Sequence, residues 1–375
     1  MSMLQAELHP GSGTRVGWLQ RLHIDGVLLV GLLLLSGAGL IILYSASGRN
    51  EAVMLRQLVR LAVAYGTLFV VAQIPPGLIR RWAPWLFGLG IGLLVAVLVF
   101  GDIGKGARRW LDLGFVRFQP SEMMKLTVPA MVAWYLADVR LPPSPGRIAV
   151  CGFLILLPTL LIAKQPDLGT ALLIASSGFF VLFLAGISWR LLGALALLAA
   201  AALPVVWYLM HDYQRQRVLT FLHPEADPLG AGYHIIQSKI AIGSGGLYGK
   251  GWLNGTQAQL DFLPERSTDF IFAVLGEEFG LLGILVVLAL YLLVLLRSLV
   301  ISTQAQDSFT RLLGGSLALT FFVYLFVNTG MVTGLLPVVG LPLPLISYGG
   351  TSMVTLMAGF GMLMSIHTHR KLLPG

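Results

Sequence analysis

The sequence predicts an all-α integral membrane protein with about ten transmembrane helices, and three observations carry that prediction. Of 375 residues, 56% are hydrophobic and only 11% charged, whereas a soluble domain is about a quarter charged; mean hydropathy is +0.82. The apolar residues gather into runs near 26–45, 53–73, 82–100, 121–138, 148–163, 168–187, 190–210, 270–296, 312–331 and 351–366, each close to the roughly 20 residues that cross a bilayer core as a helix. The runs are far longer than a barrel strand and lack period-two alternation, so helices must satisfy their backbone.

In chain order, residues 1–25 form a polar N-terminal tail, and the first run is too long for the apolar region of a signal peptide, so it reads as a retained helix. The second to seventh runs follow at short intervals, with Pro142, Pro145 and Pro158 interrupting the region of the fourth and fifth. Residues 211–268 then form a large loop, far beyond ordinary connection length. Its YHIIQSKIAI stretch, 233–242, has the pattern of an amphipathic helix lying against the bundle or the interface. Between the ninth and tenth runs lies PVVGLPLPLISYGGTS, 337–352, whose prolines and glycines cannot continue a spanning helix. Broken backbone at membrane depth is tolerated inside protein or around a cavity, so a re-entrant or rim segment is expected; a plain external loop is the simpler alternative. Residues 367–375 are a C-terminal tail, and 26–366 read as one membrane domain. The single cysteine, Cys151, excludes an intrachain disulfide and a multi-cysteine metal site, and the seven histidines lack metal-ligand spacing.

Ten crossings put both termini on one side. That side carries a basic residue in each short loop and, as acids, only Glu7, Asp25, Asp138 and Asp307, which places both termini in the cytoplasm by the positive-inside bias. The external face then receives most of the 17 acids together with many cations. Chemistry is expected there.

Five constellations are candidates. GKGARRWLDLGFVRFQPSEMMK, 104–125, clusters Arg108 and Arg109 beside Trp110; paired guanidiniums fork onto phosphate oxygens and an indole stacks on a sugar, although an interfacial anchor would look similar. Within it, Glu122 and Lys125 share a helix face just inside the membrane, where ionisable groups usually face a cavity or partner; Ser121 and Glu122 as simple cap residues are the bland reading. In KQPDLGT, 164–170, Asp167 reads first as a helix cap and second as a wall of the same cavity. GSGGLYGKG, 243–251, departs from a nucleotide P-loop, with Ser244 where the first glycine belongs and Gly251 after Lys250. Its main-chain donors beside Lys239 and Lys250 suit a different anion. In DFLPERSTDFIF, 261–272, Thr268 predicts an N-cap that would set Asp269 in the first helical turn, as a dipole-stabilised carboxylate or as a general base at the membrane surface. Glu277, nearer the Asp269 face than Glu278, extends the acidic character.

GARRWL, QPSE, QPDLGT, SKIAIGSGGLYGKG, FLPERSTDFIFAVLGEE and LPLISYGGTS, in this order and spacing, resemble the SEDS family of bacterial cell-wall synthesis, across essentially the whole membrane region. The short tails and the FLPERSTDF wording are more similar to its elongation members than to its division members. The resemblance implies a ten-helix peptidoglycan glycosyltransferase of the bacterial inner membrane that polymerises lipid II on the external leaflet, producing polyprenyl-pyrophosphate-linked glycan. It also implies a class B penicillin-binding protein as transpeptidase partner and Asp269 as the essential aspartate. Trp110, Glu122, Lys125 and Asp167 would be cavity residues, and Ser347 of the LPLISYGGTS motif a further substrate contact.

The residues suit that chemistry. Forming a β-1,4 bond at an anomeric carbon bearing α-linked pyrophosphate is a single inversion, for which Asp269 would take the acceptor hydroxyl's proton. Arg108, Arg109, Lys125 and Lys239 would stabilise the leaving pyrophosphate, with or without a divalent cation such as Mg or Mn. The partners expected are lipid-linked sugars, the penicillin-binding protein and membrane lipid, with no nucleic acid. A lipid flippase would use the same external cations but needs a polar path across the bundle, and a pure scaffold would have no need of Asp269.

Overall fold

The computed structural model describes residues 22–104, 107–112, 117–210, 212–223, 231–260, 262–263 and 265–369. Each apolar run of the sequence becomes a helix: α1 Gly26–Ala46, α2 Glu51–Ala72, α3 Pro76–Phe100, α4 Pro120–Leu136, α5 Pro145–Ala163, α6 Leu168–Leu184 and α7 Trp189–Leu209. The region between the seventh and eighth runs holds α8 Asp212–Leu222, α9 Ala231–Gly245 and the short α10 Thr256–Gln259; α11 Ile271–Thr303, α12 Ser308–Val332 and α13 Thr351–Thr368 complete the bundle. By length and hydropathy alone, six of these helices are long and apolar enough to cross a membrane. The amphipathic segment expected near 233–242 is α9, which packs on α11 and α12.

The fold departs from all-α in one place. Between α3 and α4 the chain forms a small antiparallel sheet of β1 Asp102–Gly104, β2 Ala107–Asp112 and β3 Arg117–Phe118 in the order β1-β2-β3. In sequence this stretch reads as a cation cluster; in the sheet Trp110 stands opposite Asp102, and Leu111 opposite Phe118.

Two helix starts on the terminus side follow ordinary capping chemistry. Asp25 accepts the Leu28 N–H at 2.8 Å ahead of α1, and Asp307 accepts the Thr310 N–H at 2.9 Å ahead of α12. Small residues let the helices approach closely, as lipid supplies no hydrophobic drive between them. A Cβ at Gly361 of α13 would stand 2.6 Å from the Leu68 carbonyl of α2, and one at Gly31 of α1 would stand 2.8 Å from Leu293 and Val294 of α11. The interior is packed by residues such as Leu28, Leu35, Met124, Tyr291, Phe309 and Phe321, while Leu33, Leu34, Leu55 and Val286 point outward, as lipid-facing side chains do.

Helix α11 is not one rod. Gly280 interrupts it with φ 62 and ψ −161, and the glycine loop 246–251 fills the break. Lys250 N–H and Gly251 N–H donate to the Glu277 and Glu278 carbonyls, while Leu281 N–H and Leu282 N–H donate to Gly246 and Leu247. A Cβ on Gly249 (φ +79) would stand 2.1 Å from the Glu278 carbonyl oxygen. Only glycine permits that approach.

Candidate active site

The site is built at the end of the bundle where α11 begins, and its first surprise is Thr268. Its hydroxyl donates to the Glu265 carbonyl at 3.2 Å and to Glu265 Oε2 at 2.8 Å, closing a turn instead of capping a helix. Helix α11 therefore starts at Ile271 with Phe270 at the N-cap. Asp269 precedes the first helical turn, contrary to the sequence expectation, because the Thr268 oxygen that would have capped it already serves the turn. The carboxylate is half-buried.

A buried strap holds that turn in place. The non-helical residues 336–350 between α12 and α13 are the re-entrant element that the prolines imply, and Leu341, Leu343, Leu345, Ile346 and Ser347 within it are buried. Ser347 Oγ donates to the Thr268 carbonyl at 2.5 Å and accepts the Leu343 N–H at 2.8 Å, and Tyr348 N–H donates to the Ser267 carbonyl at 2.8 Å. Asn328 of α12 donates to the backbone carbonyls of Asp269 (3.0 Å) and Leu341 (2.7 Å), tying turn to strap. Two bulky residues beside this junction adopt positive φ, Glu265 at 52 and Leu345 at 63. Such strain persists where surrounding bonds over-determine the backbone. Gly340, at φ +79, turns the strap beside the carboxylate, a Cβ there lying in van der Waals contact at 3.5 Å from Asp269 Oδ2. Ser347 thus acts on Thr268 and the strap, a positioning role that its place in a motif could not reveal.

The other predicted residues form a second group across the strap. Lys125 Nζ donates to Glu122 Oε1 at 2.7 Å, both side chains being buried, and lies 5.4 Å from the Tyr324 ring centre. Glu122 Oε2 and Ser121 Oγ are buried without a hydrogen-bond partner, and the start of α4 has no side-chain cap, so the capping alternative for these two residues does not hold. Asp167 is both things the sequence allowed. It caps α6 by accepting the Thr170 N–H at 3.2 Å, and it receives Gln119 Nε2 at 3.3 Å with Arg109 Nη1 at 3.8 Å. Arg109 also donates to the carbonyls of Gln165 and Pro166. Trp110 lies half-buried in β2 opposite Asp102; Arg108 is in the same strand, its side chain outside the described residues.

Glu122 and Gln119 line a groove of about 440 Å³ together with Phe118, Gly350, Thr351 and Arg60. Arg60 was missed in the sequence because it lies inside an apolar run. The signal was present as a guanidinium at a depth where charge is costly.

Three expectations are corrected. Lys239, expected among the cations that stabilise the leaving pyrophosphate, has its side chain over Gly334 at the C-terminal end of α12, where a Cβ would stand 2.2 Å from Lys239 Cε. That docking follows Ser238, whose hydroxyl donates to the Val332 carbonyl at 2.7 Å. The 243–251 loop is no anion cradle, because its N–H groups complete the break in α11. Glu277 does not add to an acidic face near Asp269; it is fully buried, pairs with Lys250 Nζ at 2.7 Å and accepts from Thr256 Oγ1 and the Gln257 N–H, anchoring the loop. Glu278, equally buried, accepts from Ser45 of α1. His234 of α9 stacks on Phe270, ring centres 5.6 Å apart, and burial holds its imidazole below the ordinary value despite the opposing pull of Glu265.

The family model described as cell cycle protein, covering FtsW, RodA and SpoVE, matches residues 19–372. The chain belongs to that family. It is 58% identical over 94% of its length to the Escherichia coli K12 protein named peptidoglycan glycosyltransferase MrdB, covering 96% of that protein. Among solved structures, a chain of a complex described as a peptidoglycan synthase coordinating polymerization and crosslinking superposes with a TM-score of 0.81 at 34% identity, over 93% of this chain and 98% of that one. The rod shape determining protein RodA of Thermus thermophilus superposes with a TM-score of 0.71 at 30% identity, over 92% and 98%. The match to this family thus extends from sequence to the helical arrangement of more than nine-tenths of the chain.

Proposed function

We propose that this chain is a peptidoglycan glycosyltransferase that extends β-1,4-linked glycan from lipid II during cell elongation, with Asp269 as its general base. The observation that carries the role of Asp269 is its setting: a half-buried carboxylate on a backbone turn fixed by Ser347, Tyr348 and Asn328, between helix and strap. A base held this rigidly meets an acceptor hydroxyl without reorganising, which is where positioning lowers a barrier. The similar proteins named peptidoglycan glycosyltransferase support the reaction class.

The acceptor 4-hydroxyl loses its proton to Asp269 as it attacks the anomeric carbon, and the polyprenyl pyrophosphate leaves from the opposite face. Asp269 works at the external end of the bundle, with both termini cytoplasmic in the inner membrane. Anchoring both sugars by lipid tails confines them to two dimensions and lowers the entropic cost of encounter. Near the groove, Glu122 Oε1 faces Lys125 and Asp167 faces Arg109, and among the described residues no group of three His, Cys, Asp or Glu side chains could hold a metal ion. The likeness to a chain from a peptidoglycan synthase complex supports a class B penicillin-binding protein as the partner that crosslinks the product.

Asp269→Asn tests the reading. The substitution keeps size and hydrogen-bonding geometry and removes the base, so lipid II should still bind within a few fold while polymerisation falls by about 10² to 10⁴. Polymerisation within tenfold of the parent would reject Asp269 as the base.

A further inference from the structure

The cations near this site are unevenly available. Arg109 holds backbone carbonyls, Lys125 is buried against Glu122, and Lys239 lies over Gly334. Arg60 differs from all three. It sits nine residues past Glu51 in α2, about 14 Å of helix at 1.5 Å per residue, between the exposed apolar residues Val59 and Val63. A guanidinium at that depth requires a cavity or a partner. No carboxylate among the described residues pairs with it; its Cζ lies 4.2 Å from the centre of the Tyr348 ring, and it lines the 440 Å³ groove. A guanidinium held over an aromatic ring is oriented by that ring while its N–H groups stay available to a second acceptor.

Two neighbours define what that acceptor is. Helix α13 begins at Thr351 without a side-chain cap, so its first N–H groups and its positive end stand at the groove wall formed by Gly350 and Thr351. That wall favours an anion. On the opposite wall, Glu122 is 6% exposed and its Oε2 is buried without a donor, which favours a ligand carrying hydroxyl or amide N–H groups next to its anion. The groove is also open to an apolar chain, being lined by Val59, Val63, Phe118 and Val354. Anion, polar donor and apolar tail together describe a lipid-linked sugar pyrophosphate.

We propose that Arg60, oriented by Tyr348 and acting with the N-terminus of α13, binds the pyrophosphate of the lipid-linked substrate in this groove. Arg60 is a positioning residue for the leaving group and takes no part in proton transfer. The inference rests on the glycosyltransferase reading for its substrate class, and concerns a residue that reading does not use.

The test uses purified full-length protein in phosphatidylcholine nanodiscs, with undecaprenyl pyrophosphate as probe. Arg60→Gln should weaken binding about tenfold to a hundredfold, the range of a lost hydrogen bond to a charged group, and Arg60→Lys should restore part of it. Arg190→Gln, exposed at the opposite end of the bundle, should bind as the parent does. In polymerisation from lipid II, Arg60→Gln should raise KM and leave the pH profile of kcat unmoved. Parent-like binding by Arg60→Gln would overturn the proposal, as would displacement of the probe by equimolar phosphatidylglycerol, which would make the groove a phospholipid headgroup site. The two readings fail separately: an inactive parent with Arg60-dependent binding rejects the enzyme and keeps this site, whereas an active parent with Arg60-independent binding rejects this site alone.

Discussion

The two ends of the bundle are built by different chemistry. At the terminus end, side-chain caps start α1 and α12, and one polar knot closes the surface: Arg297 forks onto Asp25 at 3.0 and 2.5 Å, His367 approaches the same carboxylate at 3.4 Å, and His23 stacks on His369 with ring centres 3.9 Å apart. At the Asp269 end, Asn50 and Asp167 cap α2 and α6, but the start of α11 is held by backbone bonds between distant segments, glycines stand where a Cβ would collide, and two bulky residues carry positive φ. The first end is joined by charged and aromatic side chains, so a single substitution there removes one side-chain contact and leaves the backbone in place. The second is specified by mutual contact, so single changes there should propagate.

The largest expected effect follows from the glycine loop. Gly249→Ala would drive a Cβ to 2.1 Å from the Glu278 carbonyl oxygen at φ +79 and should destabilise by about 3 kcal/mol or more, from strain and lost backbone bonds combined. Gly243→Ala, six residues away in α9 with nothing within 4 Å of its Cβ, should be neutral or stabilise by up to about 1 kcal/mol. Thermal inactivation of the two variants checks this; equal melting points would show that the loop does not fill the helix break.

At the opposite end, Asp25→Asn keeps the α1 cap and removes the charge facing Arg297. Destabilisation of about 1.5 to 3 kcal/mol is expected, with lipid II polymerisation unchanged once the protein is folded. Loss of polymerisation without loss of stability would mean that the two ends are not independent.

The smallest effect concerns pH. His234 has a folded-state pKa below its ordinary 6.5, so the unfolded chain binds the proton more readily. The contribution of the neutral His234–Phe270 stack is present above 6.5 and is lost as pH falls from there through the folded-state value. Amide exchange in α9 should therefore quicken on acidification from pH 7.5 to 5, and His234→Phe, which keeps a ring against Phe270, should flatten that dependence.

The contrast also explains what could be read from the residues. The membrane helices were legible because a bilayer imposes length and hydropathy on each separately, and the strap was legible because three prolines in 337–352 forbid a helix. The break in α11 was not, since GEEFGLLG is an ordinary apolar helix until another segment supplies replacement donors for its carbonyls. Thr268 looked like a cap because propensity sees the residue and not Glu265 folded back onto it. Lys239 and Glu277 were assigned to the site by charge, and tertiary contacts gave both to the scaffold. Glu122 and Lys125 pair with each other and Asp167 faces Arg109, whereas Arg60 was hidden by the apolar average around it.

The interruption at Gly280 turns α11 into a lever. Asp269 lies eleven residues before it, an arm of about 16 Å at helical rise, so a rotation of roughly 3.5° at the break displaces the carboxylate by about 1 Å. A displacement of that size is enough to cost a catalytic site about a hundredfold in rate. A push on residues 246–251 would therefore move Asp269 while the second half of the helix, pinned to Asp25 through Arg297, stays where it is.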